Sequence, residues 1–332
     1  MMAPRISVLM PCFNHGAFIG EALDSVRSQT WQDFEIIVVD DGSTDQATLE
    51  VLSRLTSPIR VLTTSNQGLP AARNHAAAHA SGAVFCALDA DDKLASTWFE
   101  KGMRLLDEQA DIAFVSHWLE TFGDEHWTWK PAKCDLLSLL ARNAVNGAAL
   151  VRREAFEAVG GYDAAMREGC EDWDFWLRLV ERGFEGAIIP EVLFYYRRRQ
   201  DSMSRMMLED ARYERPLETL VAKHDAAYRR HLADVIVAKE AETQGLTREI
   251  ALLERDRILT LEPALRRARE ELHAVAAKAE RVRRLRAVEE ENERLAWKAA
   301  DLERRVNDLH ASWSWRITAP LRKLYSLARI GR

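Results

Sequence analysis

Cysteine is scarce: four in 332 residues, Cys12, Cys86, Cys134 and Cys170, far apart and in apolar or mixed surroundings. No CxxC pair or histidine-rich spacing joins them, so no zinc framework is indicated and reduced thiols in a cytosolic protein are expected. Long apolar runs are missing too. No stretch approaches the ~20 residues of a membrane-spanning helix. The opening MMAPRISVLMP has no long apolar core and leads straight into a strand pattern, so no signal peptide is expected. Glycine-rich phosphate loops are absent, whether GxGxxG or GxxxxGK[ST]. Nor is there an excess of positive charge. With 46 Lys and Arg against 52 Asp and Glu the net charge is −6, and no nucleic-acid partner is expected.

What is present divides into two halves. Over the first part, short apolar runs alternate with helical patterns. ISVLM (6–10), FEIIVV (34–39), IRVLT (59–63) and AVFCAL (83–88) read as buried strands. Ile19, Ala22, Leu23 and Val26 recur at helical spacing between the first two. Further helices are expected from about Thr44 to Leu55, capped by Ser43 or Thr44, and over LPAARNHAAAHA (69–80). Such alternation predicts an α/β fold, a mostly parallel sheet covered by helices.

From about Ser204 to Leu309 the pattern is almost wholly helical. Val288, Asn292, Leu295, Ala299, Leu302, Val306, Leu309 and Trp313 keep heptad spacing, as do Ile258, Leu261, Leu265, Ala268, Leu272, Val275, Ala279 and Val282. Leu285 joins the two sets through one short step, a stammer. Asn292 at an a position suits a parallel dimer in one register, so a coiled coil making a homodimer is expected, the alternative being a single helix folded back on its own globular domain. Pro263 reads as the first turn of a new helix. The segment WSWRITAPLRKLYSLARIGR (313–332) mixes Arg316, Arg322, Lys323, Arg329 and Arg332 with Trp and Leu and holds no acid. That composition suits a helix in the interface of an anionic membrane, or else a tail packed on another subunit. The expected divisions are an α/β domain over 1–205, a helical linker region over 206–259, a coiled coil over 260–312 and a basic amphipathic tail over 313–332.

IIVVDDGSTD (36–45) ends a buried run on two adjacent aspartates, and AVFCAL runs into DADD (89–92). In an open parallel sheet, ligands bind beyond the carboxyl ends of the strands. If these strands are neighbours, one crevice collects at least three carboxylates, and like charges so close call for a cation. Oxygen-only ligands favour Mg²⁺ or Mn²⁺, and Mg²⁺ usually takes one or two carboxylates together with phosphate oxygens. The acid cluster therefore implies a divalent metal and a phosphate-bearing ligand.

PCFN (11–14), VDDGSTD (39–45), GLPAARN (68–74), LDADD (88–92) and GCEDWDFWLRL (169–179) stand in the order and approximate spacing of family 2 glycosyltransferases, and roughly residues 4–205 resemble that family. The resemblance implies a GT-A fold and inverting, nucleotide-sugar-dependent transfer. By it, Pro11 and Phe13 flank the nucleobase and ribose. Asp41 accepts from the imide N–H of a uracil or thymine, which favours a UDP- or dTDP-sugar donor, while Asp40 holds the turn. Arg73 reaches the diphosphate or the rim of the base. Asp89 and Asp91 match the DxD pair, Asp91 binding Mg²⁺ or Mn²⁺ and Asp89 holding ribose or a metal-bound water. Asp172 stands in the place of the general base, with Glu171 supporting it or touching the acceptor. Both open a helix whose apolar face is Phe175, Trp176 and Leu179, where simple capping is the alternative. Trp127, Trp129 and Trp173 border the acceptor, and Trp129 and Trp173 are the expected sugar contacts, ordinary core being the other use of tryptophan. One departure stands out. In YRRRQDSMS (196–204), Arg199 occupies the place of a histidine that could touch the metal. Arg199 is therefore expected on the donor diphosphate, and a weaker metal requirement follows.

For the whole chain these readings predict a hexosyl- or deoxyhexosyltransferase of bacterial surface-polysaccharide assembly. It would be peripheral on the inner face of the cytoplasmic membrane and act on a glycan or lipid-linked glycan. The lack of a QxxRW element and of spanning helices argues against a polymerase. The alternative is an inactive, transferase-like scaffold that recruits partners through its helical half. A nucleotidyltransferase would want a Gly-rich, Lys/Arg-bearing loop, which PCFNHGAF does not supply.

Overall fold

Ile, Val and Leu runs closed by polar turns make the first four strands: β1 (Ile6–Cys12), β2 (Phe34–Asp40), β3 (Ile59–Thr63) and β4 (Val84–Ala87). The structure, a computed structural model, describes residues 4–199, 214–267 and 279–311. They fall into two compact units, one ending at His231 and the other beginning at Leu232. The unit with the sheet thus reaches beyond the expected boundary at 205 and takes in two further helices.

Its sheet adds β5 (Lys93–Leu94), β6 (Ile112–Gly123), β7 (Thr128–Trp129), β8 (Leu150–Arg152) and β9 (Glu185–Arg198). The order is β3-β2-β1-β4-β8-β6-β9-β5, with β7 on β6. The four apolar strands are parallel, as expected. The other half is mixed: β8 runs antiparallel to β4 and β6, β5 to β9 and β7 to β6, whereas β9 is parallel to β6. Pro11 stands opposite Val39 of β2, beyond the last β1–β4 pair, Leu9 with Ala87. Its missing N–H points to the side where β4 has ended, so no ladder bond is lost.

Seven helices flank this sheet along the chain: α1 (Ile19–Arg27), α2 (Gln46–Ser53), α3 (Leu69–Ala78), α4 (Trp98–Glu108), α5 (Leu136–Ala141), α6 (Arg153–Ala158) and α7 (Glu171–Glu181). The stripe Ile19, Ala22, Leu23 and Val26 of α1 is buried in the core with β1 and β2, and each large apolar side chain so buried contributes roughly 1.5–3 kcal/mol. The cap of α2 is Asp45, whose carboxylate accepts from the N–H groups of Ala47 and Thr48, rather than Ser43 or Thr44. Such a cap is worth about 1 kcal/mol. All four cysteines are buried and none is in a disulfide.

Two helices after the sheet, α8 (Glu214–Lys223) and α9 (Asp225–Arg230), are tied to the back of α7. Asp174 of α7, fully buried, meets Arg178 Nε at 2.8 Å, Lys223 Nζ at 2.7 Å and His224 Nε2 at 3.2 Å. His224 Nδ1 lies 2.8 Å from Glu181 Oε2. Burial pushes the Asp174 carboxyl up, but the bonds from His224 and Lys223 outweigh it and hold it at about 2. Burial pushes the His224 imidazole down, yet its two carboxylate partners win and raise it. A raised histidine stabilises the fold fully below its unfolded value of ~6.5 and loses that contribution as pH climbs through the folded value. Urea midpoints are therefore expected to fall as pH rises above ~6.5 in the wild type, and the slope to flatten in His224→Gln. The depressed Asp174 acts at the other end, its contribution fading only as pH drops below ~3.9 toward about 2.

The second unit is a pair of helices. α10 (Leu232–Asp256) continues through a π-turn (Arg257–Leu261) into helix at 262–267, and α11 (Ala279–Ala311) packs against it. Lys298 Nζ lies 3.5 Å from Glu249 Oε1, and Leu253 and Arg257 share a groove with Leu295 and Ala299. The heptad stripe is real, with Leu295 and Leu302 buried, but it meets a helix of its own chain. Neither the partner strand nor the globular domain of the two readings is what it meets there: within the second unit it packs on the preceding helix. Pro263 does not open a new helix. It sits just past the π-turn, whose wider spacing suits a residue that has no N–H and crowds the carbonyl four positions back. Residues 313–332 and 200–204, with heptad residues Ala268, Leu272 and Val275, lie outside the described residues. No described helix is long and apolar enough to cross a membrane.

Candidate active site

The strand order sets the carboxyl end of β1 between those of β2 and β4, where the connections reverse direction. Open α/β sheets bind ligands at such a point. PCFN and VDDGSTD meet there and fasten each other. Asn14, at φ 57°, accepts from the N–H groups of Thr44 (2.8 Å) and Asp45 (3.1 Å), while its own N–H donates to Ser43 Oγ (3.0 Å). An asparagine tolerates this left-handed backbone better than most residues. Phe13 is left 40% exposed at the rim, and Pro11 is buried behind it in β1.

The two adjacent aspartates have separate partners. Asp40 Oδ1 accepts from Ser43 N–H at 2.9 Å, so it does hold the turn. Asp41 accepts from Thr64 Oγ1–H (2.9 Å) and from the N–H groups of Gln67 (2.9 Å) and Gly68 (2.7 Å). A carboxylate offers about four acceptor positions, so one remains open. Two of those donors are main-chain amides, which carry no residue identity and so leave no mark in the sequence.

Arg73 of α3 is 3% exposed. Its Nη2 contacts both Asp89 oxygens (2.8 and 3.0 Å), its Nη1 donates to Glu171 Oε1 (2.8 Å), and its guanidinium lies 5.2 Å above the Tyr162 ring. Burial would lower the guanidinium, but Asp89 and Glu171 outweigh it, so Arg73 stays charged with its affinity for the proton raised. The resemblance sends Arg73 to the diphosphate or the rim of the base. The structure sets it as a bridge from the DxD turn to the opening of α7, and Tyr162 is a partner which that reading missed.

In the DxD turn, exposure falls from Asp89 (30%) through Asp91 (14%) to Asp92 (1%). The end of β9 pins this turn: Arg197 N–H donates to Asp92 Oδ1 and Arg197 Nε to the Asp91 carbonyl, both at 2.8 Å. Burial, then the charges of Asp91 and Asp89, push Asp92 well up. Asp91 is raised by burial and by Asp89, against the pull of His15 and Arg199. Arg199 Nη2 lies 3.6 Å from Asp91 Oδ2 and 3.3 Å from His15 Nε2. Among the described residues no group of three His, Cys, Asp or Glu side chains could hold a metal by itself. The donors fit a sparser site. Asp91 keeps 14% of its side chain exposed and, among the described residues, no cation lies closer to its carboxylate than Arg199 at 3.6 Å, and Mg²⁺-type ions take one or two carboxylates when phosphate oxygens complete the shell.

Glu171 and Asp172 begin α7 behind Cys170, which is left-handed at φ 61°. Burial, then the charge of Asp172, push the Glu171 carboxyl up to about 7, with Arg73 opposing. Burial also raises Asp172, against Arg73 and against donors from Trp173 and Asn143. Asp172 Oδ1 accepts from Trp173 N–H at 2.7 Å and Oδ2 from Asn143 Nδ2 at 3.1 Å. Asn143 is the second partner that the sequence reading missed. The sugar-contact role expected of Trp173 is not what this geometry offers. The residue is 5% exposed and its indole N–H donates to the Leu139 carbonyl at 2.6 Å, so it builds the floor under Asp172. Trp127 and Trp129 stay half-buried on the β6–β7 hairpin.

The switch point thus has an acidic turn at the end of β4, joined through Arg73 to a buried carboxylate pair at the start of α7. Residues 7–160, just under half of the chain, match the model of glycosyl transferase family 2. Glu171 and Asp172 lie beyond the matched span. The chain is similar to EpsE of Bacillus subtilis (strain 168), described as a glycosyltransferase: 27% identity over 213 residues, 61% of this chain and 76% of EpsE. It is 29% identical over 200 residues to an uncharacterized glycosyltransferase of Haemophilus influenzae, covering 57% of this chain and 67% of the relative. Two solved structures share the fold at 19% identity. One is S. aureus TarS 1–349 in complex with UDP-GlcNAc, with a TM-score of 0.56 and 66% of each chain covered. The other is the mannosyltransferase PcManGT from Pyrobaculum calidifontis in complex with GDP-Man and Mn²⁺, with a TM-score of 0.55 and 90% of this chain and 88% of the other covered.

Proposed function

We propose that this chain transfers a sugar, with inversion, from a nucleotide-sugar to a hydroxyl of a glycan or lipid-linked glycan in bacterial surface-polysaccharide assembly. The observation that carries the reading is the Arg73 bridge. One buried cation joins Asp89, on the donor side, to Glu171, beside Asp172. Two acid sites far apart in sequence thereby become one reaction site. Asp172 accepts the proton of the acceptor hydroxyl as its oxygen attacks the anomeric carbon, the bond from that carbon to the phosphate oxygen breaks, and the nucleoside diphosphate leaves with the electron pair. Of the two carboxylates Glu171 is the one bonded to Arg73, whereas Asp172 takes only neutral donors, from Trp173 and Asn143. A Mg²⁺ or Mn²⁺ held by Asp91, with Asp89 beside it, would supply charge for the departing diphosphate. Arg199, next to Asp91, adds a fixed cation at the same point.

The two structural neighbours were solved with different bases, UDP-GlcNAc and GDP-Man, so the fold does not choose the nucleotide. The acceptor position that the three donors leave on Asp41 would suit an imide N–H and supports a UDP- or dTDP-sugar. The test is calorimetric titration with UDP, dTDP, GDP and CDP, with and without Mn²⁺, on wild type and Asp91→Ala. Selective binding of UDP or dTDP, strengthened by Mn²⁺ and lost or weakened at least tenfold in the variant, is the expected result. Absence of binding to all four sinks the mechanism as written and leaves the helical unit as the place to look for function. The basic segment 313–332 belongs to the same proposal as a contact to anionic membrane, where a lipid-linked acceptor would be met. Its check is sedimentation with vesicles of anionic against neutral lipid.

A further inference from the structure

The segment between α5 and β8, residues 142–149, reaches the site from a direction that none of the five sequence motifs marks. Asn143 Nδ2 donates to Asp172 Oδ2 at 3.1 Å, and Asn143 Oδ1 accepts from Val145 N–H at 3.3 Å. The second bond fixes which way the amide faces, because only the NH₂ end can then point at the carboxylate. The rest of the loop is anchored in the core. Asn146, 7% exposed, donates to the His117 carbonyl at 3.2 Å. The Ala148 carbonyl takes the Trp98 indole N–H at 3.2 Å. A methyl group on Gly147 would come within 3.4 Å of Arg73 Nη2, so the loop also abuts the bridging cation.

We infer that Asn143 is a positioning residue for the Asp172 carboxylate, an inference that rests on reading Asp172 as the base. Trp173 N–H holds one carboxylate oxygen and Asn143 the other. About two of four acceptor positions remain for an incoming hydroxyl. An amide does not titrate, so its donation persists wherever Asp172 is ionised, and donation to the charged form favours that form. Without Asn143 the carboxylate keeps one main-chain donor, turns more freely about its side-chain torsions and protonates more readily. A group that merely stabilised the loop would change none of these.

The experiment uses the full chain as wild type, Asn143→Ala, Asp172→Asn and the double variant. Carbon-13 NMR of aspartate-labelled protein follows the Asp172 carboxyl, assigned by its loss in Asp172→Asn. In Asn143→Ala its midpoint is expected to move up by about half a pH unit or more, with UDP binding within twofold of wild type. In a transfer assay with the donor that calorimetry selects, kcat falls about tenfold, the donor KM is kept, and the acid limb of the pH profile moves up with the NMR midpoint. In the Asp172→Asn background the same substitution changes kcat by less than about twofold, because groups acting as a unit are not additive. An unmoved midpoint in folded Asn143→Ala overturns the inference. Should that variant fail to fold, Asn143→Ser, whose hydroxyl is too short to reach Asp172, takes its place under the same criteria. If Asp172→Asn keeps wild-type turnover, the base reading has failed. If Asp172→Asn is inactive while Asn143→Ala keeps wild-type kcat and acid limb, the inference about Asn143 alone has failed.

Discussion

Asp172→Asn is expected to lower kcat by roughly 10²–10⁴-fold, the range over which a positioned general base acts, while nucleoside diphosphate binding stays within twofold. The substitution keeps the size of the side chain and its bond from Trp173 N–H, but the amide cannot take a proton. The contrast between lost turnover and retained binding is the signature, since Asp172 stands across the Arg73 bridge from the DxD turn and not within it. Glu171→Gln is the control. Glu171 is buried and paired with Arg73, and its replacement is expected to cost stability as well as rate. Measuring kcat and calorimetric affinity on the same preparations separates the two carboxylates. Wild-type kcat in Asp172→Asn would move the base to Glu171 or outside the chain.

Replacing Arg73 by methionine is expected to have the largest effect on stability, about 3–5 kcal/mol, the usual cost of leaving buried carboxylates without their partner. Asp89 and Glu171 would lose three bonds between 2.8 and 3.0 Å. The loss should depend on pH in a defined direction. Without the cation the Glu171 carboxyl, already pushed up by burial, is raised further, so the variant holds up best in acid, where Glu171 carries a proton, and weakens as pH climbs from ~4.3, the ordinary glutamate value. Urea unfolding at several pH values between 5 and 8, scaled to ~1 kcal/mol resolution, reads this directly. Arg73→Lys should recover only part, because an ammonium cannot span two carboxylates with the planar fork of arginine. A variant of Arg73 as stable as wild type at pH 8 would show that the bridge is not what holds these acids.

The parts of the fold that the sequence announced are those made from local pattern. Four apolar runs gave four parallel strands; β2 and β4 are separated by β1 rather than neighbours, and among the described residues the aspartates that follow them form no metal-holding group of three. Alternation could not show β8, three residues long, or the pairing of β6 with β9, whose residues are some 75 positions apart in the chain. Those depend on packing between distant segments. At the site the motifs named the carboxylates but not what holds them. Asp45 rather than Ser43 caps α2, because the choice of cap is set by the turn that Asn14 fastens. Asn143 sits in no motif, and only the folded loop brings it to Asp172. Trp173 looked like a sugar platform by its place beside the acids, yet the helix turns it into the core. In the helical half the heptad period was legible, but a period does not say whose helix fills the opposite side.

The Arg73 bridge also divides the crevice into regions that differ in how freely they can be remodelled. At the proposed nucleobase end, Asp41 is held by Thr64, Gln67 and Gly68 and not through Arg73, so changes there are expected to exchange one base for another without disturbing the proposed proton transfer. At the phosphate end, any change to Asp89 alters the partner of Arg73 and, through it, the charge felt by Glu171 and Asp172. Variation in donor base should therefore come cheaply in relatives built on this plan, whereas variation in how the diphosphate is held should appear only with matching changes at the start of α7.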